Sequence, residues 1–542
     1  MNFLLIIASF LLAFIPLYPK IPLFEAIPGY IVRVRVEDLL VLLAFLIYLI
    51  QIFRKKIDFK NKVTPWILAY LAVSSLSILS AIFIIKTIPL ELIHIGKSIL
   101  HLFRYTEYFV LFFIMFSSIK KTKDIKLVFY TLTFTVLAIT IYGYGQKYWY
   151  WPVFSTMNRE FSKGMVLYLT EHARVQSTFG GHYDLAAYLV IVLTIFYLIM
   201  INLKNKWQKL GLWLVHLLGL WLLVMSASRT SFAAYIGGIL VGLGFFAALQ
   251  KKWHQKIWYF FKESLIYLLI VFVMMYSFGD DMRERFEQIL RAYPKFFTVY
   301  ENAQKITIQK THNFNSYFKK LREEKKPENG VAFDNTVLEF EEILISTDVQ
   351  PVSTKPIDVY VDVPVQVATE SSQGAIVYVD QPRTWSDNAI KYGLSLAIRL
   401  DELWPNAIKG FMRNPLLGSG FATLNKKEFL QFTEAESTDN NFLRTLGETG
   451  ALGFISFYGS VAALLVILYQ NQKNSKDQQL KVANLTFIAA SIGLLLNASY
   501  IDVFASSKVA FTYWALAGAI LAYNQVSQVS LTNHVKKNKK SS

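Results

Sequence analysis

Apolar runs recur along the chain near 2–18, 36–53, 66–85, 98–118, 126–146, 183–202, 208–227, 231–250, 258–278, 441–470, 484–504 and 508–525. A hydrocarbon core of about 30 Å is crossed by about 20 residues of α-helix, so the pattern predicts about twelve transmembrane helices and an all-α polytopic membrane protein. The first run is read as a span rather than a signal peptide. Met1 and Asn2 supply no basic leader, and Pro16, Tyr18 and Pro19 make a poor cleavage site.

The polar positions fall between these runs, and their charge alternates. Arg54, Lys55, Lys56, Lys60 and Lys62 follow the second run; Lys120, Lys121, Lys123 and Lys126 flank the joint after the fourth; Lys204, Lys206 and Lys209 follow the sixth. Lys251, Lys252 and Lys256 continue the series, then Lys473, Lys476 and Lys481, and finally Lys536, Lys537, Lys539 and Lys540. Basic joints stay on the cytoplasmic side, which puts both termini inside and every odd-numbered joint outside.

One outer joint is far longer than a connector. It divides the chain into helices 1–9 (1–278), an extracytoplasmic loop (279–440), helices 10–12 (441–525) and a basic cytoplasmic tail (526–542). A connection of that length is a functional cap or a domain. It reads as charged helix from Asp280 to about Lys326, then as a small β-hairpin near 356–380. There Ile357, Val359, Val361, Val363, Val365 and Val367 alternate with polar residues, and Ser371 to Gly374 supply the turn. With no Arg or His in its strands, the hairpin is expected to lie away from any chemistry and to pack on loop helices or on another envelope protein. A helical, aromatic-rich stretch ending at Arg399–Pro405 follows, and no internal repeat is visible.

Composition sharpens the picture. Of 542 residues, 54% are hydrophobic and 17% charged, too apolar for a soluble protein of this size. The net charge of +17 belongs to the cytoplasmic joints and tail, so nucleic acid is not the expected partner. There is no cysteine, which removes disulfides, thiolate nucleophiles and Cys-ligated metals.

Ionisable residues at or within spans are costly and mark polar cavities, pairs or functional paths. By the assigned topology Arg174, Arg229, Arg399, Asp439 and Arg444 all lie at outer joints or outer helix ends, with no obvious partner carboxylate for the first three. Arg229, in Ser226-Ala-Ser-Arg229, is either functional or an interfacial anchor snorkelling to lipid phosphates. His182 and Asp184 at the start of the sixth span, and Glu37 and Asp38 at the start of the second, suit helix N-termini as well as chemistry. Arg104 and Glu107 have the spacing of a helical ion pair. The tenth span opens with Asp439 or Asn440 as N-cap, and Gly447, Gly450 and Gly453 would admit a close neighbour. Glu448, four residues after Arg444, gains little from that pairing order in an isolated helix.

Asp439-Asn440 followed after nine residues by Gly450-x-x-Gly453 resembles the outer-face signature of the O-antigen ligase and O-antigen polymerase superfamily. Ser226-Ala-Ser-Arg229, Asn414-Pro-Leu-Leu-Gly418-Ser-Gly420-Phe, and Arg174 with Thr178-Phe-Gly and Asp184-Leu-Ala-Ala-Tyr188 are similar to its other landmarks. The resemblance spans the chain except about 300–385. It implies a bacterial inner-membrane glycosyltransferase moving a glycan from a polyprenyl-pyrophosphate carrier to a glycan or lipid acceptor. Ligases of this kind typically have His where this chain has Asp439, which leaves ligase and polymerase both open.

The residue types suit that chemistry. A glycosyl pyrophosphate carries a good leaving group, so the demand is to neutralise developing charge and position a hydroxyl. Guanidinium forks bind phosphate oxygens bidentately, making Arg174, Arg229 and Arg399 candidates, with Arg444 in reserve. Asp439 or Glu448 is the candidate base, with His182 as the alternative. No Asp-x-Asp motif calls for a metal, though Asp280-Asp281 stands at the loop's start, and no cofactor is expected. A lipid-linked-sugar flippase is the rival reading, against which the absence of half-repeats and of midplane charge counts. A structural scaffold would leave the charges unexplained.

Overall fold

The computed structural model describes residues 3–27, 30, 32–57, 59–157, 160–283, 331–333, 365–370, 376–381, 385–425 and 437–540. Nine helices come first: α1 (Phe3–Leu17), α2 (Val36–Phe53), α3 (Thr64–Phe83), α4 (Leu92–Ser118), α5 (Ile125–Trp149), α6 (His182–Asn202), α7 (Lys206–Met225), α8 (Arg229–Ala248) and α9 (Trp253–Phe278). Three short helices, α10 (Asp387–Tyr392), α11 (Leu394–Ile398) and α12 (Trp404–Arg413), lead to α13 (Asn441–Asn474), α14 (Gln478–Ala498) and α15 (Ser507–Lys540). The protein is an all-α polytopic membrane protein: among the described residues ten helices, α2–α9, α13 and α14, are long and apolar enough to cross a bilayer. At 15 residues α1 falls short of that length, although it is apolar and its inner face is buried.

The burial pattern sorts the helices into centre and periphery. α6 is apolar on every face and buried from Leu185 to Leu198, as is α15 from Val509 to Tyr523, so these two form the middle of the bundle. α2 and α9 turn most of their apolar surface outward, with Leu39, Leu42, Leu46, Leu265, Leu269 and Phe272 exposed, which is the surface a helix presents to lipid tails.

The long connection between α9 and α13 is only partly described. β3 (Val365–Glu370) and β4 (Ile376–Gln381) pair antiparallel, Val365 opposite Gln381 and Glu370 opposite Ile376, leaving 371–375 as the connection. The part of the expected hairpin before 365, its turn and the charged stretch after Arg283 lie outside the described residues. A short parallel pair joins β1 (Leu167–Leu169), from the joint before α6, to β2 (Val331–Phe333). The helical region does not end at Pro405: Arg399–Leu403 forms a π-helical turn and α12 continues to Arg413. Pro405 sits in the first turn of α12, where its missing N–H has no intrahelical partner to lose.

Candidate active site

α13 begins where the cap chemistry puts it. Asn440 is the N-cap, its side-chain oxygen accepting from the Phe442 and Leu443 N–H groups at 3.1 Å each. Asp439 stands just outside the helix in a left-handed conformation (φ 51°) and therefore does other work. Its carboxylate lies 2.8 Å from the Arg399 guanidinium and accepts the Ser437 hydroxyl at 2.6 Å. Arg399, which the sequence reads as unpartnered, thus has a carboxylate 40 residues further along the chain, and it also stacks over the Tyr500 ring at 4.1 Å.

The network continues through Asp502, in the joint between α14 and α15. Its carboxylate accepts the Thr438 N–H at 2.9 Å, the Asn440 N–H at 3.1 Å and the Ser437 hydroxyl at 3.0 Å, and meets Arg444 at 3.1 Å. Arg444 reaches on to Glu448 at 3.3 Å, and the other Glu448 oxygen accepts the Ala422 N–H at 3.1 Å. Arg399, Asp439, Asp502, Arg444 and Glu448 therefore form one chain of charge-assisted contacts. The Arg444–Glu448 pair, weak by its order in a lone helix, is fixed here by partners from two other segments.

The glycines explain how the 414–420 turn locks onto α13. Gly450 breaks the helix with φ 67° and ψ −169°, a conformation essentially reserved for glycine. The exposed backbone there pairs with the Asn414–Gly420 turn: Ser419 N–H donates to Gly447 O and Gly420 N–H to Glu448 O, both at 2.9 Å, while Ala451 N–H donates to Pro415 O at 2.8 Å. Gly418, also left-handed, lies so near that an added Cβ would sit 2.5 Å from the Glu448 carbonyl carbon. Gly447 faces the α12 backbone at Ala407, and Gly453 faces Thr449 one turn earlier in α13.

A second cluster gathers before α6. Arg174 is buried and donates to His182 Nε2 at 2.6 Å and to the Tyr183 hydroxyl at 3.1 Å. An imidazole nitrogen that accepts from a guanidinium cannot also take a substrate proton, so His182 is occupied as a base. Nearby, the Lys508 ammonium donates to the carbonyls of Pro16, Tyr18 and Thr178 at 2.7–3.0 Å, tying α15 to the α1 end and to this joint. Arg229 opens α8 half-buried, and Ser231 beside it bonds Asn497 of α14. Further out, Asp281 accepts from His172 at 3.3 Å and meets Lys147 at 3.6 Å. The hydrogen bond to Asp281 holds the His172 imidazole above its ordinary pKa.

A third cluster joins the segment before α2 to α4. Lys20 pairs with buried Glu37 at 2.6 Å, and Arg104 pairs with Asp38 at 2.6 Å and more loosely with Glu107 at 3.6 Å. The Arg104–Glu107 pair expected from spacing exists, but Asp38 is the nearer partner. Beside these groups lies a cavity of about 710 Å³, walled by α2, α4, the segment before α2 and the start of α15. Arg444 and Asp184 reach its wall; Arg174, His182, Arg229, Arg399, Asp439, Asn440, Glu448, Gly450 and Gly453 do not.

No protein-family model matches the chain, and no curated protein does. The site therefore has to be judged on its own chemistry. Among the described residues no three His, Asp or Glu side chains converge as metal ligands. Three groups that sequence reasoning passed over are central to the arrangement: Asp502, Arg35 and Lys508. Each left a signal, since an aspartate, an arginine and a lysine flanking apolar runs have no need to be there.

Proposed function

We propose that the chain is a metal-independent glycosyltransferase of the bacterial cytoplasmic membrane, moving a glycan from a polyprenyl-pyrophosphate carrier to a glycan or lipid acceptor. In this reading α1 and the apolar part of α15 complete twelve spans, both termini are cytoplasmic, and the charged networks face outward. The resemblance to O-antigen ligases and polymerases supports it. The single observation that carries it is the chain from Arg399 to Glu448: five ionisable side chains from three segments, fixed at one end of an apolar bundle, with Arg444 at a cavity wall.

Such an end suits transfer from a glycosyl pyrophosphate. Guanidinium groups held rigidly by carboxylates and a ring need no reorganisation as charge develops on the leaving pyrophosphate. Among the three candidate bases, Glu448 is buried, its side chain only 2% exposed, and His182 accepts from Arg174. Asp439 keeps 32% of its side chain exposed and is the one an acceptor hydroxyl can reach.

The test is purified full-length protein in detergent, supplied with a polyprenyl-pyrophosphate glycan and an envelope-lipid acceptor pool. The expected product is an acceptor of increased mass, or a lengthened glycan still on the carrier if the chain is a polymerase. Intact carrier throughout, together with movement of labelled carrier across proteoliposomes, would replace the reading with the flippase one.

A further inference from the structure

The cavity between α2 and α4 has a two-part lining, of which the network above uses only Arg444. One part of its lining is apolar, built by Leu39, Leu42 and Phe45 of α2 with Phe103 and Val110 of α4. Leu39, Leu42 and Phe103 are each about half exposed at the surface of the bundle, so this wall opens sideways onto lipid. The rest of the lining carries five cationic side chains, Lys20, Arg33, Arg35, Arg104 and Arg444, against three carboxylates, Asp38, Glu107 and Asp184.

Most of these charges are spent on one another. Lys20 is satisfied by Glu37, Arg104 by Asp38, Arg33 by Glu25 and Arg444 by Asp502. Arg35 is the exception: it is 7% exposed, its nearest carboxylate is Glu37 at 3.9 Å, already bound to Lys20, and its buried Nε has no hydrogen-bond partner. A buried guanidinium without a hydrogen-bonded anion is costly, and it is the residue type best shaped to take two phosphate oxygens at once. An anion able to reach it while lying against an apolar wall open to the bilayer must carry a hydrocarbon tail.

We propose that this groove binds a phosphate-bearing lipid, with the phosphate on Arg35 beside Arg104 and the first part of the tail between α2 and α4. The assignment deepens the transferase reading by naming where the carrier lipid docks. It rests on that reading only for the identity of the tail.

Binding is measured on the full-length protein, stripped of lipid in neutral detergent, by native mass spectrometry. The probes are a polyprenyl pyrophosphate, phosphatidylglycerol and inorganic pyrophosphate. Arg35→Gln removes the phosphate fork, and Leu42→Trp fills the trough from a position exposed enough to tolerate the larger ring. The expected result is lipid binding to the wild type that weakens about 10-fold or more in both variants, each still monodisperse, with inorganic pyrophosphate binding far more weakly. Preference for polyprenyl pyrophosphate makes the occupant the carrier. Equal loss of phosphatidylglycerol binding keeps the site and makes its occupant a membrane phospholipid. Wild-type lipid affinity in a folded Arg35→Gln or Leu42→Trp, or inorganic pyrophosphate binding as tightly as the lipids, overturns the proposal. Lipid binding by a protein without transfer activity would remove the transferase reading and leave the groove standing. Unchanged lipid affinity in a variant that still transfers glycan would do the reverse.

Discussion

Gly450→Ala probes the junction on which the candidate site is built. At φ 67° and ψ −169° the backbone disfavours any residue with a Cβ by about 1–3 kcal/mol. The added carbon would also sit 2.4 Å from the carbonyl carbon and oxygen of Leu416, so the Asn414–Gly420 turn must move away. Four backbone hydrogen bonds cross that contact, at 2.9, 2.9, 2.8 and 3.2 Å, and each is worth about 1 kcal/mol net. Because moving the turn relieves the strain while breaking the bonds, the two losses do not add fully. A destabilisation of about 3–5 kcal/mol is expected. Thermal unfolding in detergent reads the stability, and limited proteolysis across 414–425 reads release of the turn. Gly244→Ala in α8 is the control, since its Cβ meets nothing within 4 Å and alanine is the better helix former by about 1 kcal/mol. A Gly450→Ala protein as stable and protease-resistant as the wild type would refute the docking of loop to helix break.

Asn440→Ala should cost about 1 kcal/mol by removing the cap of α13 and leave transfer by the folded protein intact, whereas Asp439→Asn should lower the melting temperature, because it takes the charge from the partner of buried Arg399, and should in addition cut transfer by the folded protein roughly 10²-fold if Asp439 is the base; thermal unfolding and the transfer assay separate the two. Asp502→Ala should destabilise by about 3 kcal/mol or more, because it leaves buried Arg444 and two backbone N–H groups without their shared acceptor, and a melting temperature equal to wild type would count against the hub. The folded-state pKa of His172 is raised, so its tie to Asp281 is fully present below about pH 6.5 and fades as the pH rises through that raised value. An NMR titration should find a midpoint above 6.5 that drops in Asp281→Asn; the same midpoint in both proteins would show the contact to be unimportant.

Much of this arrangement is legible in the chain because membrane helices announce themselves. The start of α13 is legible to within a residue, since Asp439 and Asn440 are both cap residues at the head of the span, and it is Asn440 that caps. Contacts between distant segments are a different matter. Asn414-Pro-Leu-Leu-Gly-Ser-Gly and the glycines of α13 both stand out, but nothing in their spacing says that one fills a break in the other. Three-residue glycine spacing reads as helix packing, whereas Gly450 instead ends one helical segment and starts the next. The pairing of Arg399 with Asp439 is hidden for the same reason: an ion pair across 40 residues depends on how α11, α12 and the loop turn back. Arg35 lies in a short joint that looks like a connector, and only burial without a hydrogen-bonded anion distinguishes it from an anchor.

The most direct measurement of the central claim is the fate of the carrier. Purified protein, a polyprenyl-pyrophosphate glycan and acceptor are incubated, and free polyprenyl pyrophosphate and product are counted together by mass spectrometry. The account predicts free carrier appearing one for one with transferred glycan. It predicts loss of both in Arg444→Gln, whose guanidinium joins the charged chain to the groove. Product formation undiminished in a folded Arg444→Gln, or no carrier release by the wild type with any acceptor, would contradict it.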